Sequence, residues 1–321
     1  MKSKIVLTLI LVLLFGSNLI AQRVSIEKVK EYNLPDGYDC TIVGVVREEI
    51  VITCPDTRAF YHSVAGEDLK EVPYQLGRGP GELNRAPFGI GILKNQIVFS
   101  DPDLQRLFIY DKRDQSFSVK LIKPDGGLSY IHSTKNDSLI FVRNGLLTSL
   151  GNLYNVNTDE FSEDFLLDKP SGNAFLQDGR IEVYDNVLLF GSAHEGYVSV
   201  WDLKTHKQVN KYQLFENRNT KQRQAQMNGL SGFIAPASEN QIEGVGLYQN
   251  QNGEELVFVL IESRVRKYDM DKLYIYSPSK KKFISELKLE AKANLFQISG
   301  EFLYVHYEDL DKLVKYKLVV K

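Results

Sequence analysis

Along most of this chain, β-branched and aromatic residues alternate with polar ones at a period of two, the spacing of strands rather than helices. One stretch, Tyr74–Asp111, shows the unit most clearly. It reads as the end of a strand, a glycine-rich crossing at Gly77–Leu83, and three strands: Phe88–Lys94, Gln96–Ser100 and Arg106–Asp111. The same order recurs along the chain. Inner strands are expected at Tyr38–Val46, Phe88–Lys94, Gly127–Lys135, Gly179–Asp185, Gly244–Asn250 and Asn294–Ser299. A compact apolar strand follows each, from Ile50–Thr53 in the first unit to Phe302–His306 in the last. Several third strands end in an aromatic and a turn-former, as in Tyr110-Asp111, Trp201-Asp202 and Tyr276-Ser277. Fourth strands include Val72–Leu76, Phe161–Leu167 and Gln208–Phe215.

Only five fourth strands are found against six of each other kind, and Val24–Tyr32 is a spare strand ahead of the first unit. The pattern therefore predicts an all-β, six-bladed β-propeller with four-stranded blades, closed by the N-terminal strand pairing with the C-terminal blade. Such closure removes an exposed sheet edge. The rival is a β-sandwich, which requires neither six similar units nor a spare first strand. No linker interrupts the repeats, so residues 22–321 are expected to form one domain, with an insertion at 216–243.

The first residues differ in kind. Lys2 and Lys4 precede the apolar run Ile5–Phe15, and Leu19-Ile20-Ala21 follows, which is the layout of a secretory signal peptide spanning residues 1–21. A retained anchor is the alternative, but the run is short for a span of about 20 residues. The chain has 321 residues, 43% hydrophobic and 25% charged, enough for a large core. Losing the two leader lysines leaves 37 of 39 basic side chains against 41 acidic ones, a formal charge of −4. That balance argues against nucleic acid. No later segment is apolar enough to span a membrane. The expectation is an exported, periplasmic or extracellular monomer.

Ser100–Asp111, SDPDLQRLFIYD, resembles an NHL repeat, and Gly77–Leu83, GRGPGEL, looks like the G-x-G-P-G-E-F/L element of TolB-like six-bladed propellers common in Bacteroidetes. The match covers roughly forty residues; the other blades carry only the strand pattern. The resemblance implies an exported propeller that binds or scaffolds, and it carries over no catalytic residue.

Gly77–Glu82 lacks the Lys-Ser/Thr pair and following helix of a phosphate loop, so it reads as a sharp turn between blades. Glu82 is placed to accept from backbone donors there. Asp101, Asp103 and Arg106 are either a ligand-facing acidic group or a turn in which Arg106 pairs with a neighbouring carboxylate. Propeller geometry puts fourth-to-first and second-to-third connections on one face. That face collects Arg78, Arg85, Asp101, Asp103, Arg106, His194, Arg218, Arg223, Phe233, Arg264, Arg266 and Tyr268, either as a recognition surface or as a solvated rim. Six-bladed lactonases and related hydrolases hold calcium at the channel mouth. Here Asp39, Asp178 and Glu243 begin inner strands without a shared spacing. The histidines form no zinc pattern, and no G-x-S-x-G elbow occurs. The reading is a non-catalytic binding module for a glycan, peptide or protein, without a cofactor; the alternative is a calcium-dependent hydrolase or lyase.

Two local expectations complete the reading. Thr220–Met227 suits a short helix capped by Thr220, in an insertion that folds as a partial lid over the loop face or crosses it without order. Cys40 and Cys54, the only cysteines, flank a hairpin. A three-residue turn pairing Val45 with Glu49 would place them opposite one another, as a structural disulfide or as two buried thiols. A turn one residue different would send their side chains to opposite faces.

Overall fold

The computed structural model describes residues 24–35, 40, 42–54, 57–64, 66–85, 87, 89–144, 149–167, 179–217, 223–227, 230–234, 238–250 and 252–320, with backbone alone at 42, 223–227, 230–234 and 308. The expected leader, 1–21, lies outside these residues.

The described chain is almost wholly β, folded as consecutive antiparallel meanders. Ile42–Val46, Glu49–Cys54, Ala59–Ser63 and Lys70–Pro73 form one four-stranded sheet. Gly179–Tyr184, Val187–Ser192, Tyr197–Asp202 and Lys207–Gln213 form another, and Asn240–Gln249, Glu255–Ser263, Lys272–Ser277 and Lys282–Lys288 a third. Between the first two lies an eight-stranded sheet. As strands its halves, Ile90–Leu121 and Leu128–Phe161, pair through a single parallel bridge between Ile90 and His132. The last sheet holds Leu295–Ser299, Phe302–Tyr307 and Lys312–Val320, with Val24–Asn33 as its outermost strand. That strand runs antiparallel from Val24 opposite Val320 to Asn33 opposite Lys312, with a bulge at Val29. The first strands adjoin in a closed ring: Ile42–Val46 beside Ile90–Ile92, then Leu128–Ser133, Gly179–Tyr184, Asn240–Gln249, Leu295–Ser299 and back to Ile42–Val46. The arrangement is propeller-like.

Burial explains the patterning. Second strands are sandwiched between neighbouring sheets, so both faces are apolar: Ile50, Val51, Ile52 and Cys54 are fully buried, as are Val257 through Ile261. Each such side chain contributes about 1.5–3 kcal/mol. Outer strands face water on one side, as in the exposed–intermediate alternation of Ser116–Leu121. The core is divided into clusters between adjacent sheets. One of them joins Tyr32, Leu313 and Tyr304 of the closing sheet to Val43, Ile50 and Ile52 of the first. Lys315 reinforces that seam, donating to Glu48 Oε2 at 2.6 Å and lying 3.7 Å over the Phe302 ring.

The aromatic-then-turn-former signature also has a cause. After Tyr110, Tyr154 and Trp201, the side-chain oxygens of Asp111, Asn155 and Asp202 accept backbone N–H bonds from Arg113, Asn157 and Lys204. Each turn closes on a left-handed residue: Gln115, Asp159 or His206. These are side-chain turns of the Asx kind.

Four local expectations are corrected. The strand expected at Phe161–Leu167 is interrupted: it pairs through Glu160–Phe161, Ser162 Oγ then takes the Leu153 N–H, and pairing resumes where the Phe165 N–H donates to the Gly151 carbonyl and Leu166 bridges Ser149. The strand expected at Val72–Leu76 is divided: Lys70–Pro73 stays in its sheet, whereas Gln75–Leu76 leaves to pair in parallel with Glu82–Leu83. Of the helix expected at Thr220–Met227, the described part is a strand instead: Arg223–Met227 pairs antiparallel with Leu230–Ile234. The intervening Asn228-Gly229 is the dipeptide most favoured between hairpin strands. The turn after Val46 has two residues, Arg47 and Glu48, both with positive φ, so Val46 faces Glu49. Cys40 is nonetheless bonded to Cys54, with Cα atoms 4.1 Å apart. Cys40 lies ahead of the ladder, which starts at Ile42, so strand register does not fix its direction.

Candidate functional site

The ring of first strands encloses a cavity of about 500 Å³, the central channel. Strand geometry decides what enters it. Side chains two apart share a face, so Arg180, Glu182 and Tyr184 line it in sequence along one strand. Tyr130 and His132 enter from a second strand, and Leu295, Gln297 and Ser299 from a third. Val43, Val45 and Phe296 supply apolar wall.

Glu182 is the central polar group. Gln297 Nε2 lies 3.4 Å from each of its carboxylate oxygens. Part of the side chain touches channel solvent, but it sits far from bulk water. Burial pushes its carboxyl up to about 8, and the Gln297 hydrogen bond only partly opposes this. His132 moves the other way: burial, and then the nearby Arg143 cation, push its imidazole down to about 4. Arg143 Nη1 in turn donates to the Gly179 carbonyl at 3.1 Å. Ser133 Oγ accepts from the Ile92 N–H at 2.9 Å and donates to the Ile90 carbonyl at 3.2 Å, locking two first strands together. Arg180 pairs with Glu243 of the neighbouring first strand. Among the described residues, Gln297 Oε1 and His306 Nδ1 are buried without a hydrogen-bond partner. Both residues line the cavity.

The loop-face residues fall into three groups. Some belong to the fold. Arg106 Nε donates to Asp101 Oδ2 at 2.8 Å with both side chains buried, and its other nitrogens donate to carbonyls of the glycine-rich crossing. That crossing is built tightly. Gly81 has φ +81°, Glu82 Oε2 accepts the Gly79 N–H at 2.8 Å, and a Cβ on Gly77 would lie 2.0 Å from the same oxygen. Tyr268 is turned into the core, its ring 4.9 Å from that of Tyr274 and 5.7 Å from that of Phe215. His194 is buried, with Nδ1 3.0 Å from Ser238 Oγ. Asn217 beside it donates to the carbonyls of His194 and Asn240, so the chain leaves for the insertion and returns at one place.

A second group remains at the surface. Asp103 pairs with Arg85 at 2.9 Å, and Arg78, Arg264 and Arg266 are exposed. In the third group, Arg218 and the side chains of Arg223 and Phe233 lie outside the described residues, as do Asp39 and Asp178. Among the described residues no three His, Cys, Asp or Glu side chains gather as a metal group.

Apart from Glu243, the channel residues were not singled out from the sequence, although a signal was present. An inner strand packed on both faces should be apolar throughout. Arg180, Glu182 and Tyr184 put three polar groups at alternate positions of such a strand.

No protein-family model matches the chain, and no curated protein matches it. Solved structures do. A member of the DUF4221 family from Bacteroides vulgatus superposes with a TM-score of 0.56 at 14% identity, over 93% of this chain and 98% of that one. The WD40 repeats of RRP9 give 0.52 at 11% identity, over 92% and 100%. U3-55K gives 0.51 at 12% identity, over 91% and 98%. At these identities the likeness is one of fold, and the fold is a β-propeller.

Proposed function

We propose that this chain is an exported, six-bladed β-propeller of the TolB-like or NHL-like kind, acting as a monomeric, non-catalytic binding module. Counting the eight-stranded sheet as two blades gives six; the lone bridge between its halves supports that count. The observation that carries the binding reading is the channel. First strands from every large sheet converge on a cavity of about 500 Å³ furnished with carboxyl, amide, imidazole and phenol groups. Small-molecule sites are commonly about 300–1,000 Å³, with apolar walls and a few convergent polar groups. Exposed Arg78, Arg264 and Arg266 offer a second contact zone on the loop face, for a glycan, peptide or protein larger than the channel.

The test is a glycan and peptide array with the mature protein, repeated with Arg180→Ala. A ligand class retained by the parent and lost by the variant supports the reading. Turnover of an array compound, together with one calcium per chain removable by chelator, would replace it with a metal-dependent hydrolase. Fractionation of the native host tests export.

A further inference from the structure

We infer that the central channel takes a small organic cation bearing a primary amine, held between Glu182 and Gln297. This rests on the binding-module reading and names the chemistry of its ligand.

The channel holds unmatched acceptors. Among the described residues Glu182 has no cation in contact; its hydrogen-bond partner is Gln297, at 3.4 Å, which is long for such a bond. Gln297 Oε1 is buried without a partner among the described residues. The neighbouring cations have other engagements. Arg180 pairs with Glu243, Lys135 with Asp185, and Arg143 donates to the Gly179 carbonyl. His132 faces the same cavity as a neutral ring. A carboxyl group and an amide oxygen therefore share one part of the channel with no described cation to satisfy them.

An ammonium group brings three donors and a positive charge and has nothing to accept with, so it complements two acceptors and a carboxylate. The cavity is far larger than ammonium, so the ligand has a body. Tyr130, Leu295 and Val45 give that body aromatic and apolar wall. Charge balance makes the event measurable. The empty site holds Glu182 as the neutral acid near neutrality. Binding of R-NH3+ then converts Glu182 from COOH to COO− and releases one proton to solvent. A neutral polyol would bind with no such release.

The experiment is calorimetry on the mature chain at about pH 7, with 2-phenylethylamine and its uncharged analogue 2-phenylethanol, in buffers of differing ionisation enthalpy. We expect the amine to bind at least about tenfold more tightly than the alcohol, with close to one proton released. Release should fade above about pH 9, where Glu182 is already ionised. Glu182→Gln keeps the shape and should lose about tenfold or more in amine affinity with melting retained, whereas Glu182→Asp should keep part of it. Equal binding of the alcohol, or undiminished amine binding by Glu182→Gln, overturns the proposal. Failure of the amine on protein that still retains an array ligand overturns the cation alone; failure of both overturns the binding module with it.

Discussion

Arg106 donates through Nε to Asp101 Oδ2 at 2.8 Å, and neither side chain reaches solvent beyond a few per cent. The rest of the guanidinium fork points at the carbonyls of Gly77, Arg78, Gly79 and Glu82. One side chain thus takes the place of water for a glycine-rich crossing that has few backbone partners of its own. Arg106→Met should leave the buried Asp101 carboxylate without its cation, held by the Asn84 N–H, and strip those carbonyls of their donor, losing about 3–5 kcal/mol in urea unfolding. Arg106→Met with Asp101→Leu should recover part of that loss, because no charge is then stranded. A single-variant loss below about 1 kcal/mol would mean the pair is not a support of the crossing.

Val24–Asn33 covers the edge of Lys312–Val320, and its Tyr32 packs into the seam between the closing and first sheets. Deleting it should expose that edge and empty the Tyr32 position, giving aggregation or a large fall in melting temperature. A truncated protein that stays soluble and melts unchanged would show that the strand contributes nothing to closure.

The strand order was readable because packing between sheets forces it: second strands buried on both faces must be apolar, and outer strands must alternate. Exceptions arose where a side chain competes with the ladder. Ser162 Oγ takes the Leu153 N–H and breaks the ladder after Phe161, an interruption that the strand pattern does not foretell, before Phe165 and Leu166 pair again. In the insertion, Arg223–Met227 has helix-forming residues but pairs with Leu230–Ile234; Asn228-Gly229 was the stronger signal. Arg106 and Asp101 were legible as a pair, but not their burial beneath the crossing. The channel was least legible. The alternate polar residues Arg180, Glu182 and Tyr184 marked one wall locally, but which residues face them depends on how first strands from different parts of the sequence converge.

The bond between Cys40 and Cys54 closes a short loop, with a sequence separation of 14. Mature protein denatured without reductant should show no alkylated thiol. After reduction it should lose up to about 3 kcal/mol, the chain-entropy value for a loop of this size. Cys54 is fully buried, so Cys54→Ala adds a modest cavity cost. Two alkylated thiols in denatured, never-reduced protein would rule the bridge out.

The channel also sets an unusual pH dependence. The Glu182 carboxyl is raised from 4.5 to about 8 in the folded protein by burial. Between those values the unfolded chain ionises freely while the folded chain keeps its proton. The folded state binds more protons, and stability falls as pH rises through this window. His132 and His306, lowered by burial from 6.5 to about 4, act in the opposite sense, so their part is lost as pH falls through that range. Glu182→Gln removes only the first effect. The variant should match the parent near pH 4.5 and exceed it by about 1–3 kcal/mol at pH 8, less than the full shift because channel water reaches the carboxyl. Urea unfolding at both pH values measures this. Parallel parent and variant profiles across the window would mean that Glu182 titrates alike in the folded and unfolded chains and that burial does not hold its proton.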